Sequence, residues 1–237
     1  MAQATIGWIG TGVMGVSMAR HLMTAGHPLI IHTRTRARAE PLLAAGAQWA
    51  DSPLAVAERA AIVCSMVGYP EDVEVTHLGP QGTLSAAKAP TLLIDFTTSS
   101  PALAQRIAER GAALGTQAID APVSGGDIGA RNATLSIMCG GTEAAFQAAR
   151  PVLDLLGKTV VLQGPAGSGQ HTKMVNQLLI AGTMLGMAEA LSYAKKAGLN
   201  PETVLQSVGG GAAASWSLTN LAPRILKSDF APGFFIE

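Results

Sequence analysis

Up to about residue 164 the chain alternates short runs of β-branched and aliphatic residues with Ala-rich segments of helical period. That alternation is the pattern of a mainly parallel sheet with helices on both faces, because each strand returns to the sheet through a crossover helix. The runs predict strands at residues 5–9, 29–33, 61–67, 92–96, 117–120, 135–139 and 159–162, with helices filling most of the gaps. Gly26 marks a helix stop, and Ser100 followed by Pro101 marks a capped helix start with Gly111 and Gly115 near its end.

After the last strand comes the Gly-rich stretch QGPAGSGQ, then a long helical segment from about residue 170 to 197 that stops at Gly198. Met174, Leu178, Ala181 and Leu185 lie on one of its faces and Val175, Leu179 and Met187 on others. A helix apolar on nearly every side is expected to be buried between packed layers. Residues 201–208, a loop at 209–211 and a segment at 215–226 suggest a small helical domain in which Trp216 anchors packing and Glu189 makes a polar contact. The expected fold class is therefore α/β: a Rossmann-type doubly wound sheet over residues 1–164, then an all-α domain over residues 165–237.

Composition narrows the partners. Apolar residues make up 48% of the chain and aromatics 4%, so the core rests on Ala, Leu, Val, Ile and Met. The 16 basic and 16 acidic side chains cancel, and no segment concentrates Lys and Arg as a nucleic-acid or anionic-membrane surface requires. A small-molecule partner is expected, with no nucleic acid and no membrane. The most apolar stretch, residues 178–191, is short for a membrane span and contains Glu189. The opening MAQATIGWIG lacks the basic and apolar regions of a secretory signal, so a cytoplasmic location is expected. Cys64 and Cys139 sit inside apolar runs, as buried thiols rather than a redox pair.

The strand-like ATIGWIG runs directly into Gly10-Thr11-Gly12-Val13-Met14-Gly15 and then into a helix. In that context Gly10 permits the tight turn, Gly12 lets the backbone approach a pyrophosphate, and Gly15 lets helix pack closely on strand. The helix N-terminus adds N–H groups and positive dipole for the phosphates. An NAD site usually carries Asp or Glu about 20 residues further on, where it accepts from the ribose 2′-hydroxyl. Here the chain reads His32-Thr33-Arg34-Thr35-Arg36. Arg34 can pair with a 2′-phosphate and Thr33 or Thr35 can donate to it, so NADP is the expected cofactor, with NAD as the alternative. The bland reading of Arg34 and Arg36 is a solvated helix start.

Three motifs in order, Gly10 to Gly15, Asp120-Ala121-Pro122-Val123-Ser124-Gly125-Gly126, and Gly167-Ser168-Gly169-Gln170-His171-Thr172-Lys173-Met174-Val175-Asn176-Gln177, resemble the β-hydroxyacid dehydrogenase family. That family includes 3-hydroxyisobutyrate dehydrogenase and tartronate semialdehyde reductase, and is more distantly similar to 6-phosphogluconate dehydrogenase. The resemblance implies a Rossmann domain followed by a helical domain with the active site in the cleft between them. It implies an oxidoreductase moving a hydride between NADP(H) and a small 3-hydroxy acid or its semialdehyde. It further implies that Lys173 is catalytic, that Ser124, Gly125 and Gly126 hold the substrate carboxylate, that Asn176 orients the substrate, and that Thr98 contacts the cofactor near the nicotinamide.

Spacing agrees with those roles. Lys173, Asn176 and Gln177 project to one helix face, and a charged and two amide side chains on an apolar helix call for a polar cavity, or for a first turn that simply reaches solvent. A lysine whose pKa is lowered by partial desolvation can exchange the substrate's hydroxyl proton, help worth ~10²–10⁴ in rate. Departures from the family are Ala133 where a glycine is frequent, with a structural effect expected, and Gln177 in place of a second asparagine. The closing APGFFIE precedes the position of a family Lys-Asp pair, so the helical domain is expected to be incomplete and to be completed by further chain or by pairing in a homo-oligomer. Two rivals stand beside this reading. An imine reductase shares the scaffold but usually carries another proton donor where this chain has Lys173, and a non-catalytic dinucleotide-binding sensor or scaffold needs only the glycine turn.

Overall fold

The computed structural model describes residues 3–231. Among them nine strands form one sheet: β1 (Ile6–Ile9), β2 (Leu29–His32), β3 (Gln48–Trp49), β4 (Ile62–Ser65), β5 (Leu92–Asp95), β6 (Gln117–Asp120), β7 (Val123–Ser124), β8 (Leu135–Gly140) and β9 (Gly157–Gly164). The order is β3-β2-β1-β4-β5-β6-β8-β7, with β9 beside β8. The pairs from β3 through β6 are parallel, whereas β8 runs antiparallel to β6 and β7. The helices are α1 (Gly15–Thr24), α2 (Glu40–Leu43), α3 (Pro53–Ala57), α4 (Pro70–Leu78), α5 (Pro101–Ala112), α6 (Gly126–Arg131), α7 (Glu143–Leu153), α8 (Ser168–Lys196), α9 (Pro201–Val208), α10 (Trp216–Asn220) and α11 (Ala222–Leu226).

All seven expected strands are present, each within two residues of its expected ends. The missed pair, β3 and β7, are two residues long, too short for a period to register. Helix punctuation also holds: the Ser100 hydroxyl accepts from Leu103 N–H, and Gly26 and Gly198 close their helices at φ +94 and +74. Alternate strand residues feed two cores. Ile6, Trp8, Ile31, Cys64 and Ile94 pack on one face, and Ile9, Ile30, Val63 and Leu93 on the other, which is how period-2 strands serve helices on both sides. Cys64 and Cys139 are free and buried.

The chain forms two compact units, Met1–Lys173 and Met174–Glu237. In the second, Met187, Leu218 and Ala222 form a small buried cluster. The expectation that the long helix is buried on all sides is corrected: Met174, Val175, Leu178, Leu179 and Leu185 are between 58% and 67% exposed. Among the described residues this cluster, with Met184, Leu191, Leu205, Leu221 and Ile225 packed against it, covers only part of the 29-residue helix. By length and composition α8 is apolar enough to cross a membrane, which corrects the expectation that its apolar stretch is too short. Trp216 is 60% exposed rather than an anchor, and Glu189 is also exposed. Ala133 adopts φ +52, a left-handed conformation that glycine takes without strain, so its departure from the family pattern has a backbone meaning. Apart from Ala231, the closing APGFFIE lies outside the described residues.

Candidate active site

The strand order reverses direction where β1 sits between β2 and β4, and ligands of open parallel sheets bind outside the strand ends at such a point. The glycine turn leaves β1 there. Gly10 has φ +95, and a Cβ on it would collide with the Met66 carbonyl; one on Gly15 would strike the carbonyl of Gly10. At Gly12, by contrast, a Cβ would meet nothing within 4 Å, so this backbone faces open space. Thr11 is 3% exposed, and its hydroxyl oxygen has no hydrogen-bond partner among the described residues. Two glycines that close the turn, one that leaves an open approach, and a buried hydroxyl awaiting a partner fit a dinucleotide pyrophosphate. Val13 is exposed and Met14 half-buried at the entry to α1.

Thr33, Arg34 and Thr35 follow β2 at the same edge. Arg34 is already engaged: its Nη1 donates to Asp72 Oδ1 at 2.7 Å, while its side chain stays 79% exposed. An ion pair this exposed contributes about 0–1 kcal/mol and leaves the guanidinium available to a phosphate. Arg36 stacks over Trp49 at 4.9 Å.

Lys173, in the second turn of α8, donates from Nζ to the Val123 carbonyl at 2.7 Å. Burial lowers its pKa from the ordinary ammonium range. Its hydrogen bond lands directly before Ser124-Gly125-Gly126, so the lysine and the glycine loop predicted to share a substrate are brought together. Gly125 and Gly126 take φ +133 and +62, are exposed, and lead into α6, while Ser124 is half-buried. Asn176 and Gln177 lie one turn further along α8, half-buried and exposed, and the Asn176 amide donates to Gln177 Oε1 at 2.9 Å.

Two residues of the motifs that received no role turn out to hold this arrangement. Asp120, at the end of β6, is 5% exposed. Its Oδ1 accepts from Gly167 N–H at 2.7 Å and its Oδ2 from Gln170 N–H at 3.0 Å, so the carboxylate caps the start of α8. Burial raises the Asp120 pKa, against the backbone N–H groups that lower it. Gly140 and Gly169 must lack side chains because a Cβ on either would enter the space of this carboxylate. Gln170 is 3% exposed; its Oε1 accepts from Ser99 N–H and its Nε2 donates to the Thr97 carbonyl, both at 2.8 Å. Thr98, between them, is exposed to solvent. The local sequence, Asp120 between Ile119 and Ala121 and Gln170 after Gly169, does not reveal partners dozens of residues away.

Comparison with known proteins agrees with this geometry. Residues 5–164 match the family model described as the NAD binding domain of 6-phosphogluconate dehydrogenase. Residues 167–237 match the one described as NAD-binding of NADP-dependent 3-hydroxyisobutyrate dehydrogenase. The chain is 47% identical to a probable 3-hydroxyisobutyrate dehydrogenase-like 1, mitochondrial, of Arabidopsis thaliana, over 98% of this chain and 70% of that protein. It is 40% identical to 2-hydroxy-3-oxopropionate reductase of Escherichia coli, over 98% of this chain and 79% of that enzyme. A solved 3-hydroxyisobutyrate dehydrogenase of Mycobacterium tuberculosis, studied with L-serine, superposes with a TM-score of 0.88 at 31% identity, covering 98% of this chain and 81% of that one.

Proposed function

The chain belongs to the 3-hydroxyisobutyrate dehydrogenase family of NAD(P)-dependent hydroxyacid dehydrogenases, and from that premise we propose an NADP-preferring enzyme with Lys173 as its general acid and base. Its substrate is a small 3-hydroxy acid or the corresponding semialdehyde. One observation carries the reading: a partly buried lysine, its pKa lowered by burial, is hydrogen-bonded at the edge of a glycine loop beside a dinucleotide fold.

Gly10, Gly12 and Gly15 with Thr11 hold the pyrophosphate, and Thr33, Arg34 and Thr35 the 2′-phosphate. A nicotinamide held there would accept or supply the hydride. In the oxidative direction the hydroxyl-bearing carbon loses that hydride while its oxygen gives its proton to the neutral Lys173 amine. In the reductive direction the Lys173 ammonium returns the proton and stabilises the developing negative oxygen. Backbone N–H groups of Ser124, Gly125 and Gly126 bind the carboxylate, and Asn176 with Gln177 orients the remainder. Catalysis in the cytoplasm as a homo-oligomer, paired over the exposed apolar part of α8, completes the proposal; the free buried thiols suit a reducing compartment.

A panel of 3-hydroxyisobutyrate, glycerate and cyclic imines, each assayed with NADP(H) and NAD(H), tests the reading. Turnover of a hydroxy acid with kcat/KM higher for NADP than for NAD is expected, and Arg34→Gln narrows that preference by about tenfold, the loss of one charged hydrogen-bonded contact. Turnover of imines alone makes the protein an imine reductase, and tight NADPH binding without any turnover makes it a sensor.

A further inference from the structure

Three segments far apart in the chain meet at the first turns of α8. Asp120 caps Gly167 and Gln170. Lys173 reaches Val123, just beyond Asp120. Gln170 closes the triangle by gripping both Thr97 and Ser99, the two neighbours of Thr98. Its amide is satisfied at both ends, one acceptor and one donor, and it stands a single turn before Lys173 on the same helix. Rotation or translation of the Gln170 backbone therefore carries Lys173 with it and pulls on the peptide units that orient Thr98.

We propose that Gln170 is a positioning residue that sets the register between the Thr97-Thr98-Ser99 loop, on the cofactor side, and the Lys173 ammonium, on the substrate side. This rests on the reading of Lys173 and Thr98 given above. The chemistry requires donor carbon, acceptor ring and proton carrier to be aligned at once, and a misplacement of about 1 Å costs roughly 10²-fold in rate. A doubly hydrogen-bonded amide, locked between two backbone groups and nearly free of solvent, supplies the required rigidity. Among side chains of this size, only one with an acceptor and a donor at the same fork satisfies Ser99 N–H and the Thr97 carbonyl together.

The substitution that separates positioning from mere folding is Gln170→Glu. When ionised, the introduced carboxylate accepts from Ser99 N–H but opposes the Thr97 carbonyl, whereas the protonated carboxyl again offers one acceptor and one donor. Asp120, which already accepts from the Gln170 N–H, and Asp95 and His77, which line the same small cavity, are the titratable groups facing it. The two native carboxylates favour the protonated form of the new one, bringing its titration into an accessible range.

Wild type, Gln170→Glu, Gln170→Ala and Lys173→Ala are assayed from pH 5.5 to 8.5 with the hydroxy acid that wild type turns over fastest in the panel, alongside NADPH titration by fluorescence. At pH 8, Gln170→Ala and Gln170→Glu lose about 10–100-fold in kcat, with NADPH dissociation constants within about twofold of wild type. As pH falls, the ratio of Gln170→Glu to wild-type kcat climbs, while the ratio for Gln170→Ala stays flat. A flat ratio for Gln170→Glu, kcat within about twofold of wild type for Gln170→Ala, or a parallel collapse of cofactor binding and circular dichroism in both variants overturns the proposal. Lys173→Ala turning over like wild type removes the reading of the lysine instead, and wild-type inactivity across the panel removes the dehydrogenase reading; either removes this inference with it.

Discussion

Asp95 and Asp120 are register partners at the carboxyl ends of adjacent parallel strands, and both are buried. Their partners divide them. Asp95 Oδ1 accepts from the Ser65 hydroxyl at 2.7 Å and from Thr97 N–H at 3.2 Å. Ser65 Oγ lies 3.0 Å from His77 Nε2, and His77 Nδ1 lies 2.9 Å from the Thr83 hydroxyl. With the Ser65 proton given to Asp95, its oxygen accepts from Nε2–H, and Nδ1 accepts from Thr83, so a neutral imidazole satisfies the whole chain. Asp120 instead spends both oxygens on backbone N–H groups at the start of α8. One carboxyl group thus ends a side-chain network inside the sheet domain, and its neighbour holds the helix that presents Lys173. Equal residue type and equal strand position do not decide a role; the element that arrives opposite does.

The largest expected effect lies where the Asp120 grip leads. Lys173→Ala lowers kcat by ~10²–10⁴ and leaves the NADPH dissociation constant within about twofold, as measured by steady-state kinetics and fluorescence titration. Near-normal turnover breaks the contrast, because the helix held by Asp120 would then not present the proton carrier.

Next comes Asp120→Ala, which strands the N–H groups of Gly167 and Gln170 without an acceptor. A loss of about 2–5 kcal/mol is expected from the two donors, read as a lower urea midpoint at an unchanged m-value. An unchanged midpoint means that the start of α8 is held by something other than this carboxylate.

Asp95 supplies the smaller, pH-dependent effect. Burial, ahead of the Ser65 and Thr97 hydrogen bonds that oppose it, raises its pKa from 3.8 to about 6. The folded state therefore keeps a proton that the unfolded chain has already released, and stability falls as pH rises through that window. At about 1.4 kcal/mol per pH unit, wild type loses up to about 3 kcal/mol relative to Asp95→Asn between pH 3.8 and 6, measured by urea unfolding across that range. Burial lowers His77 to about 4, with the opposite sign, but His77 is present in both proteins and drops out of the difference to first order. A flat difference would mean that Asp95 titrates alike in the folded and unfolded chains, and would overturn the raised pKa.

Much of the site was legible early because its signals are local. The glycine turn declares itself by spacing, since Gly10 and Gly15 answer contacts made within a few residues or across one neighbouring strand. The strands were legible because a parallel sheet buried on both faces demands continuous apolar runs. Lys173 stood out as a charge on an apolar helix. Asp120 and Gln170 did not, because the donors and acceptors they satisfy lie 47 to 73 residues away.

By itself, then, the sequence determined the order and type of the elements, the nucleotide turn and the identity of the chemical groups, because these depend on local period, turn geometry and side-chain chemistry. Tertiary structure decided which carboxylate caps α8, that Arg34 pairs with Asp72, and that Met174, Val175, Leu178, Leu179 and Leu185 of α8 stand exposed while Met187 is buried. Those outcomes depend on what the fold places opposite each residue, and a hydrogen bond or a buried contact exists only once both partners have been delivered to the same place.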